Sequence, residues 1–267
     1  MWEQQAERGT PLAITALLWI TRTLGRPVAR VVLYPVTTYF LMTGSAARRA
    51  SRDFLSRVLP RPPGWRDVAR HFFTFAAVSL DRFLWLTGAS RTLHVASFRP
   101  PEVLAAQDRG GCLMLVAHVG SFEVRRTAAN PRRNMPLRIV LDREHGRMFT
   151  RVLEQLNPQL GTSIIDASQR GPALVLAIKQ ALDEGSMVGM MADRAREGER
   201  TATVDFLGGK AQLPVAPWIM AGVLGVPVVI AFGLYRGGNH YEAHLELIAE
   251  KVVLPRAHRD AALQEYA

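Results

Sequence analysis

The sequence predicts an α/β protein: a mostly parallel central sheet flanked by helices, preceded by an N-terminal helical segment that associates with a membrane. Three observations predict it. From Cys112 onward, short apolar runs of strand length alternate with longer segments of helical period. Glycine or proline punctuates the best of these segments. Residues 1 to about 95 instead carry helical patterning, with a clear break at "RPPG" (61–64).

The first 45 residues hold two apolar segments, "PLAITALLWI" and "VVLYPVTTYFLMTG", separated by "TRTLGRPVAR". The first is too short to span a bilayer. The second lies in an uncharged run from Val31 to Ala47, at the lower edge of spanning length, and contains Pro35. No clear basic start or small-residue cleavage site marks a signal peptide. Helices lying in the membrane interface fit these features. Arg48, Arg49, Arg52, Arg57, Arg61 and Arg66 follow, with Trp65 and Trp85 among or beyond them. Basic residues beside an apolar segment mark the cytoplasmic, anionic-lipid-facing side. The alternative is a buried helical pair with a solvated basic face. The expected organisation is a helical membrane-associating segment over 1–44 and one α/β domain over 45–267, helical to 95 and sheet-containing from 96.

"CLMLVA" (112–117) has the continuous apolar character of a strand buried on both faces. "LRIVL" (137–141) and "TSII" (162–165) are further strands, with a helix over 144–156 between them on the spacing of Met148, Val152 and Leu156. "GPALVLAIKQALDEG" is a helix: Pro172 suits its first turn, Leu174, Ile178, Ala181 and Leu182 line one face, and Gly185 ends it. "SMVGMMA" (186–192) and "ATVDFLG" follow as strands, "PVAPWIMAGVLG" as a helix ended by Gly225, and "VPVVIAFGLY" as a strand. "YEAHLELI" (241–248) alternates, as a strand with one solvated face does.

The formal net charge is +10 and the pI about 10.7. Only Lys179, Lys210 and Lys251 are lysines, so arginine carries the excess. Such a surface favours anionic partners, namely nucleic acid, anionic lipid or an acidic carrier protein, unless the arginine bias reflects genome composition alone. No helix-turn-helix or RNA-binding signature accompanies the charge, which argues against nucleic acid. One cysteine, Cys112, excludes an internal disulfide framework, and its apolar setting predicts an inert buried thiol.

Among seven histidines, His118 stands apart because it directly follows a buried strand, where α/β proteins collect functional groups. Gly120 and Ser121 begin a loop and helix start whose backbone N–H groups would face the same spot. Glu123, five residues on, can reach back to one imidazole nitrogen, fix the tautomer and leave the other nitrogen to take a proton. A dyad of this kind deprotonates an alcohol while backbone donors stabilise an oxyanion. The residues alone leave a second possibility, a plain loop after a buried strand. Ser121 is not in a nucleophile elbow, because Val119 and Glu123 stand where glycines are needed. His240 and His244 fall in a strand without the H-E-x-x-H glutamate, and Asp142 with His145 has no evident third metal ligand.

Three blocks in order, "AHVGSFE", "GSMVGMMADR" and "VDFLGGKAQLPVAPWIMAGVLGVPVVIAFGLYRGG", give the chain a family likeness. It resembles the lysophospholipid acyltransferase superfamily, in the branch of the late acyltransferases of lipid A biosynthesis. Its beginning looks closer still to acyltransferases of bacterial aryl polyene clusters. The resemblance implies O-acyl transfer from a thioester to a lipid or glycolipid hydroxyl, with no cofactor and no metal. His118 would be the general base and Glu123 its orienting partner. Gly120, Ser121, Phe122, Arg143, Asp193 and Arg194 would contact substrate, the last three near a head group. The donor would be acyl-ACP or acyl-CoA, and the place of action the cytoplasmic face of a bacterial inner membrane. Two residues depart from the branch: Arg194 stands where glutamine is usual, and Phe122 where lipid A enzymes carry tryptophan. Both suggest an acceptor other than lipid A. The sequence stops at "LQEYA" without the branch's Pro/Trp/Arg-rich ending, so either the C-terminus is truncated or this subgroup lacks that element. A thioesterase using water, and a non-catalytic basic membrane or carrier-protein binder, are the competing expectations.

Overall fold

The structure is a computed structural model that describes residues 11–86, 92–121, 124, 135–141, 164–169 and 171–267. The chain divides into two compact units, Met1–Leu84 and Trp85–Ala267. The first takes in the expected membrane-associating segment and the helices that follow it.

Four helices carry the first unit: α1 (Pro11–Thr23), α2 (Gly25–Thr43), α3 (Ser45–Val58) and α4 (Trp65–Leu86). The break at "RPPG" separates α3 from α4 as the sequence predicts. Ala29 and Leu33 of α2 pack on Ala77 and Leu80 of α4, with Leu17, Ile20, Phe73 and Ala76 around them. Buried beside this cluster, Asp81 receives two 2.7 Å hydrogen bonds from the Arg26 guanidinium, and Arg30 lies 3.6 Å away. A carboxylate removed from water is tolerable there because the arginine fork matches both of its oxygens. The opposite face of α2 is also apolar: Val28, Val31, Tyr39 and Met42, with Leu24 just before the helix, recur at helical spacing and are exposed. Among the described residues no helix is long and apolar enough to cross a membrane.

The second unit is built on a seven-stranded sheet in the order β1-β9-β8-β2-β5-β3-β4. Its strands are β1 (His94–Phe98), β2 (Cys112–Gly120), β3 (Leu137–Leu141), β4 (Ile164–Asp166), β5 (Met187–Met191), β8 (Val228–Gly237) and β9 (His240–Ala249). All neighbours pair in parallel except β8 with β9. The expected α/β architecture is therefore present. β6 (Thr201–Phe206) and β7 (Gly209–Pro214) form a separate antiparallel hairpin.

Leu113, Leu115, Val188, Met190 and Val228 supply one face of the sheet's core. Over it lie α5 (Gly171–Asp183) through Ile178, Ala181 and Leu182, α6 (Ala216–Leu224) through Trp218 and Ala221, and α7 (Arg259–Tyr266) through Leu263. The apolar stripe read from 171–185 is thus the face that packs. β9 alternates as expected, with Tyr241, Ala243 and Leu245 buried. Two expectations are adjusted. The stretch read as helical to 95 gives way to β1 at His94, an edge strand too polar to announce itself. The stretch from Gly209 to Leu213, which the sequence assigns to neither strand nor helix, together with Pro214, expected to begin the next helix, forms the hairpin's return strand. A third, the helix expected over 144–156, lies outside the described residues.

Candidate functional site

β2 ends in a bulge. Val116 pairs with Ala231 of β8, yet the next pair is Gly120 with Gly233, so β2 spends two more residues than β8 over the same span. Ala117, His118 and Val119 span the stretch that Phe232 alone spans in β8. On its other side β2 pairs with β5 in uninterrupted register, from Cys112 opposite Met187 to Val116 opposite Met191. The pairing continues past the end of β5, where Ala192 N–H donates to Val116 O at 2.8 Å. Two residues beyond the last pair, Val116 with Met191, the same 75-residue offset brings His118 level with Asp193.

Asp193 grips the histidine at two points. Its Oδ2 accepts the His118 backbone N–H at 2.9 Å, and Nδ1 lies 3.0 Å from Oδ1 and 3.1 Å from Oδ2. A carboxylate can only accept here, so Nδ1 carries the proton and Nε2 keeps its lone pair. The His118 side chain is 47% exposed and that of Asp193 26%. The histidine is thus open to solvent while its partner is more sheltered. Partial burial opposes the charge on Asp193, but the hydrogen bonds from His118 and the charge of Arg194 outweigh it. Its carboxyl is held below the ordinary value.

The sequence-predicted residues divide into three groups. His118, Gly120 and Ser121 lie together at the end of β2, and Asp193 and Arg194 follow β5 beside them. Phe122, Glu123 and Arg143 lie outside the described residues. Ser121 does not fit the expected use of its backbone, because its N–H donates to Gly233 O at 2.8 Å and its side chain is buried. That donor is already engaged in holding the loop on β8. Asp193, expected among the head-group contacts, instead touches the histidine directly. The signal for this was present in two parallel strings of equal length, "CLMLVAH" and "MVGMMAD". Aligned by their first apolar residue as neighbouring strands, they bring histidine and aspartate side by side.

Cys112 is fully buried at the start of β2, and burial pushes its thiol up to about 12, as the inert thiol expected there requires. His240 stacks on His94, and His244 stacks on Phe98 and bonds Glu242. Neither joins a group of three metal-ligating side chains among the described residues.

A mostly parallel α/β sheet with a carboxylate-held histidine at the C-terminal end of a central strand defines a class, that of α/β proteins with a polar site at that edge of the sheet. Family membership makes the class specific. The chain matches the bacterial lipid A biosynthesis acyltransferase family over residues 6–249 and belongs to it. It is an acyltransferase, and its family acts on a lipid acceptor. No curated protein matches the chain significantly.

Proposed function

We propose that the protein is an O-acyltransferase in which His118 Nε2 deprotonates a lipid or glycolipid hydroxyl as its oxygen attacks the carbonyl of an acyl thioester. The tetrahedral intermediate collapses with loss of the thiolate, which recovers the proton from the imidazolium. The ester forms, the thioester breaks, and no covalent acyl-enzyme is required. The observation that carries this reading is the two-point grip of Asp193 on His118, which sets the tautomer with Nε2 as the acceptor. Asp193 takes the orienting role that the family motif gives to Glu123. Gly120, Phe122 and Arg143 remain candidate substrate contacts, and Arg194 brings positive charge to the site for an anionic donor or head group.

The donor is acyl-ACP or acyl-CoA, both anionic and both suited to a chain of net charge +10. The acyl chain is a fatty or polyene chain, and Arg194 and Phe122 point to an acceptor other than lipid A, in keeping with the aryl polyene likeness. The exposed apolar face of α2 and the arginines after it support an interfacial anchor on the cytoplasmic face of a bacterial inner membrane. The test is acyl transfer from an acyl-ACP to extracted lipid by wild type, His118→Ala, Asp193→Asn and Glu123→Gln. Loss in His118→Ala and Asp193→Asn supports the reading, full transfer by His118→Ala rejects it, and a larger loss in Glu123→Gln returns the orienting role to Glu123. Thioester hydrolysis that is as fast without acceptor as with it would make the protein a thioesterase.

A further inference from the structure

We propose that Gly233, on β8, is a positioning residue for His118: its missing side chain lets the end of the β2 bulge lie against β8 and so sets the histidine on Asp193. The inference rests on the general-base reading above. Where the bulge closes, the two backbones touch. A Cβ on Gly233 would lie 2.1 Å from Ser121 O, 3.2 Å from Ser121 C and 3.0 Å from Val124 Cβ. A Cβ on Gly120 would lie 1.8 Å from Gly233 O, at a φ of +74° that already disfavours a side chain. The closest of these contacts are with backbone, so no flexible side chain can swing aside. β8 has little freedom to retreat, because β9 pairs with it on the other side, Gly233 opposite Ala243. A methyl group at 233 therefore moves the 120–121 backbone by roughly an ångström, three residues from His118. A shift of that size along the 2.9 Å bond from the His118 N–H to Asp193 takes it beyond hydrogen-bonding range.

Gly233→Ala is expected to lower kcat about 100-fold, the cost of an ångström's misplacement, with the donor KM changed less than threefold. Titration of the Asp193 carboxyl by NMR provides a readout that a merely structural glycine would not move. In wild type it lies below its ordinary value. In Gly233→Ala the opposing burial remains without the His118 bonds, and the carboxyl rises. In an Asp193→Asn background the Gly233→Ala loss in kcat shrinks to less than tenfold, because the grip is already gone. Gly120→Ala, whose Cβ meets the Gly233 carbonyl across the same backbone contact, behaves alike. A folded Gly233→Ala protein with wild-type kcat and Asp193 titration overturns the proposal.

Should neither alanine variant fold, the decision falls to the reverse effect, since coupling between the two contacts is reciprocal. In Asp193→Asn the Ser121 amide, bonded to Gly233 O, exchanges at least tenfold faster while that of Val229 does not. Unchanged Ser121 exchange there overturns the proposal. Carboxyl titration and amide exchange do not depend on the reaction catalysed. If His118→Ala keeps its activity, the general-base reading fails while the positioning contact is still judged by these two measurements.

Discussion

Replacing Asp193 by asparagine changes two atoms' chemistry and almost no volume, and the structure dictates the consequence. The carboxylate offers two acceptors to two donors of His118, the backbone N–H at 2.9 Å and Nδ1 at 3.0 Å. Asparagine offers one oxygen and an NH₂ group. If its oxygen keeps the backbone N–H, the NH₂ faces Nδ1 and donates to it. The ring proton then resides on Nε2, which can no longer accept one. If the oxygen keeps Nδ1–H instead, the NH₂ confronts the backbone N–H, donor against donor. That costs about 1–3 kcal/mol when buried and less here, because Asp193 is about a quarter exposed. Both arrangements lose the negative charge that steadies the imidazolium during transfer. General-base catalysis contributes about 10²–10⁴ in rate, so kcat should fall by that range, equivalent to about 2.7–5.4 kcal/mol in the barrier. Single-turnover transfer of a labelled acyl group from acyl-ACP to lipid reads the chemical step directly. A kcat within threefold of wild type in a folded Asp193→Asn protein would refute the assignment of Asp193 to the base.

Asp81→Ala leaves Arg26 and Arg30 without their buried counter-charge and should destabilise the helical unit by about 3–5 kcal/mol in urea unfolding; a loss under about 1 kcal/mol would mean that water compensates the arginines. At the start of α4, Arg61 and the Gly64 N–H hold the half-buried Asp67 carboxyl at about 2, against 3.8 in the unfolded chain. A depressed carboxyl contributes stability above its unfolded value, so the difference between wild type and Asp67→Asn should be constant above about pH 5 and vanish as the pH falls from 4 toward 2. Equal differences at pH 2 and pH 6 would contradict that assignment. Cys112, pushed up to about 12 by burial, should resist alkylation at pH 8 in the native protein and react at once in denaturant; rapid native labelling would show that β2 opens.

How much of this was legible in the sequence depends on whether a signal is local. The strands β2, β5 and β8 announce themselves because strands buried on both faces must be continuously apolar, and 112–116, 187–190 and 228–231 are almost wholly buried. The helix over 171–183 announces itself through proline at its start, a single apolar face and glycine just beyond its end. β1 and β7 do not, because an edge strand and a hairpin strand owe their form to their neighbours. His94–Phe98 is mostly exposed and becomes a strand only because β9 offers it a partner. The order of strands was likewise hidden, since it is set by which apolar faces meet across long separations.

The site shows the same division, and the case of the histidine's partner is instructive. Glu123 is near His118 in sequence, so local logic selects it. Asp193 is 75 residues away and can be found only by supposing that two apolar runs are neighbours in one parallel sheet. Once that is supposed, the register does the rest. Parallel strands rise together at about 3.3 Å per residue, so runs of equal length deliver their terminal residues to the same level. "LVAH" and "MMAD" end two such runs, and the histidine and aspartate meet there as a consequence of the sheet. What the register cannot supply is the outward turn of the histidine. That comes from the two extra residues in β2 and from the close approach of Gly120 to Gly233, a contact that is visible only when both backbones are in place. On the general-base reading proposed above, His118 therefore depends on two independent alignments, one along the strands and one across them. Variants that disturb either should fail in the same chemical step.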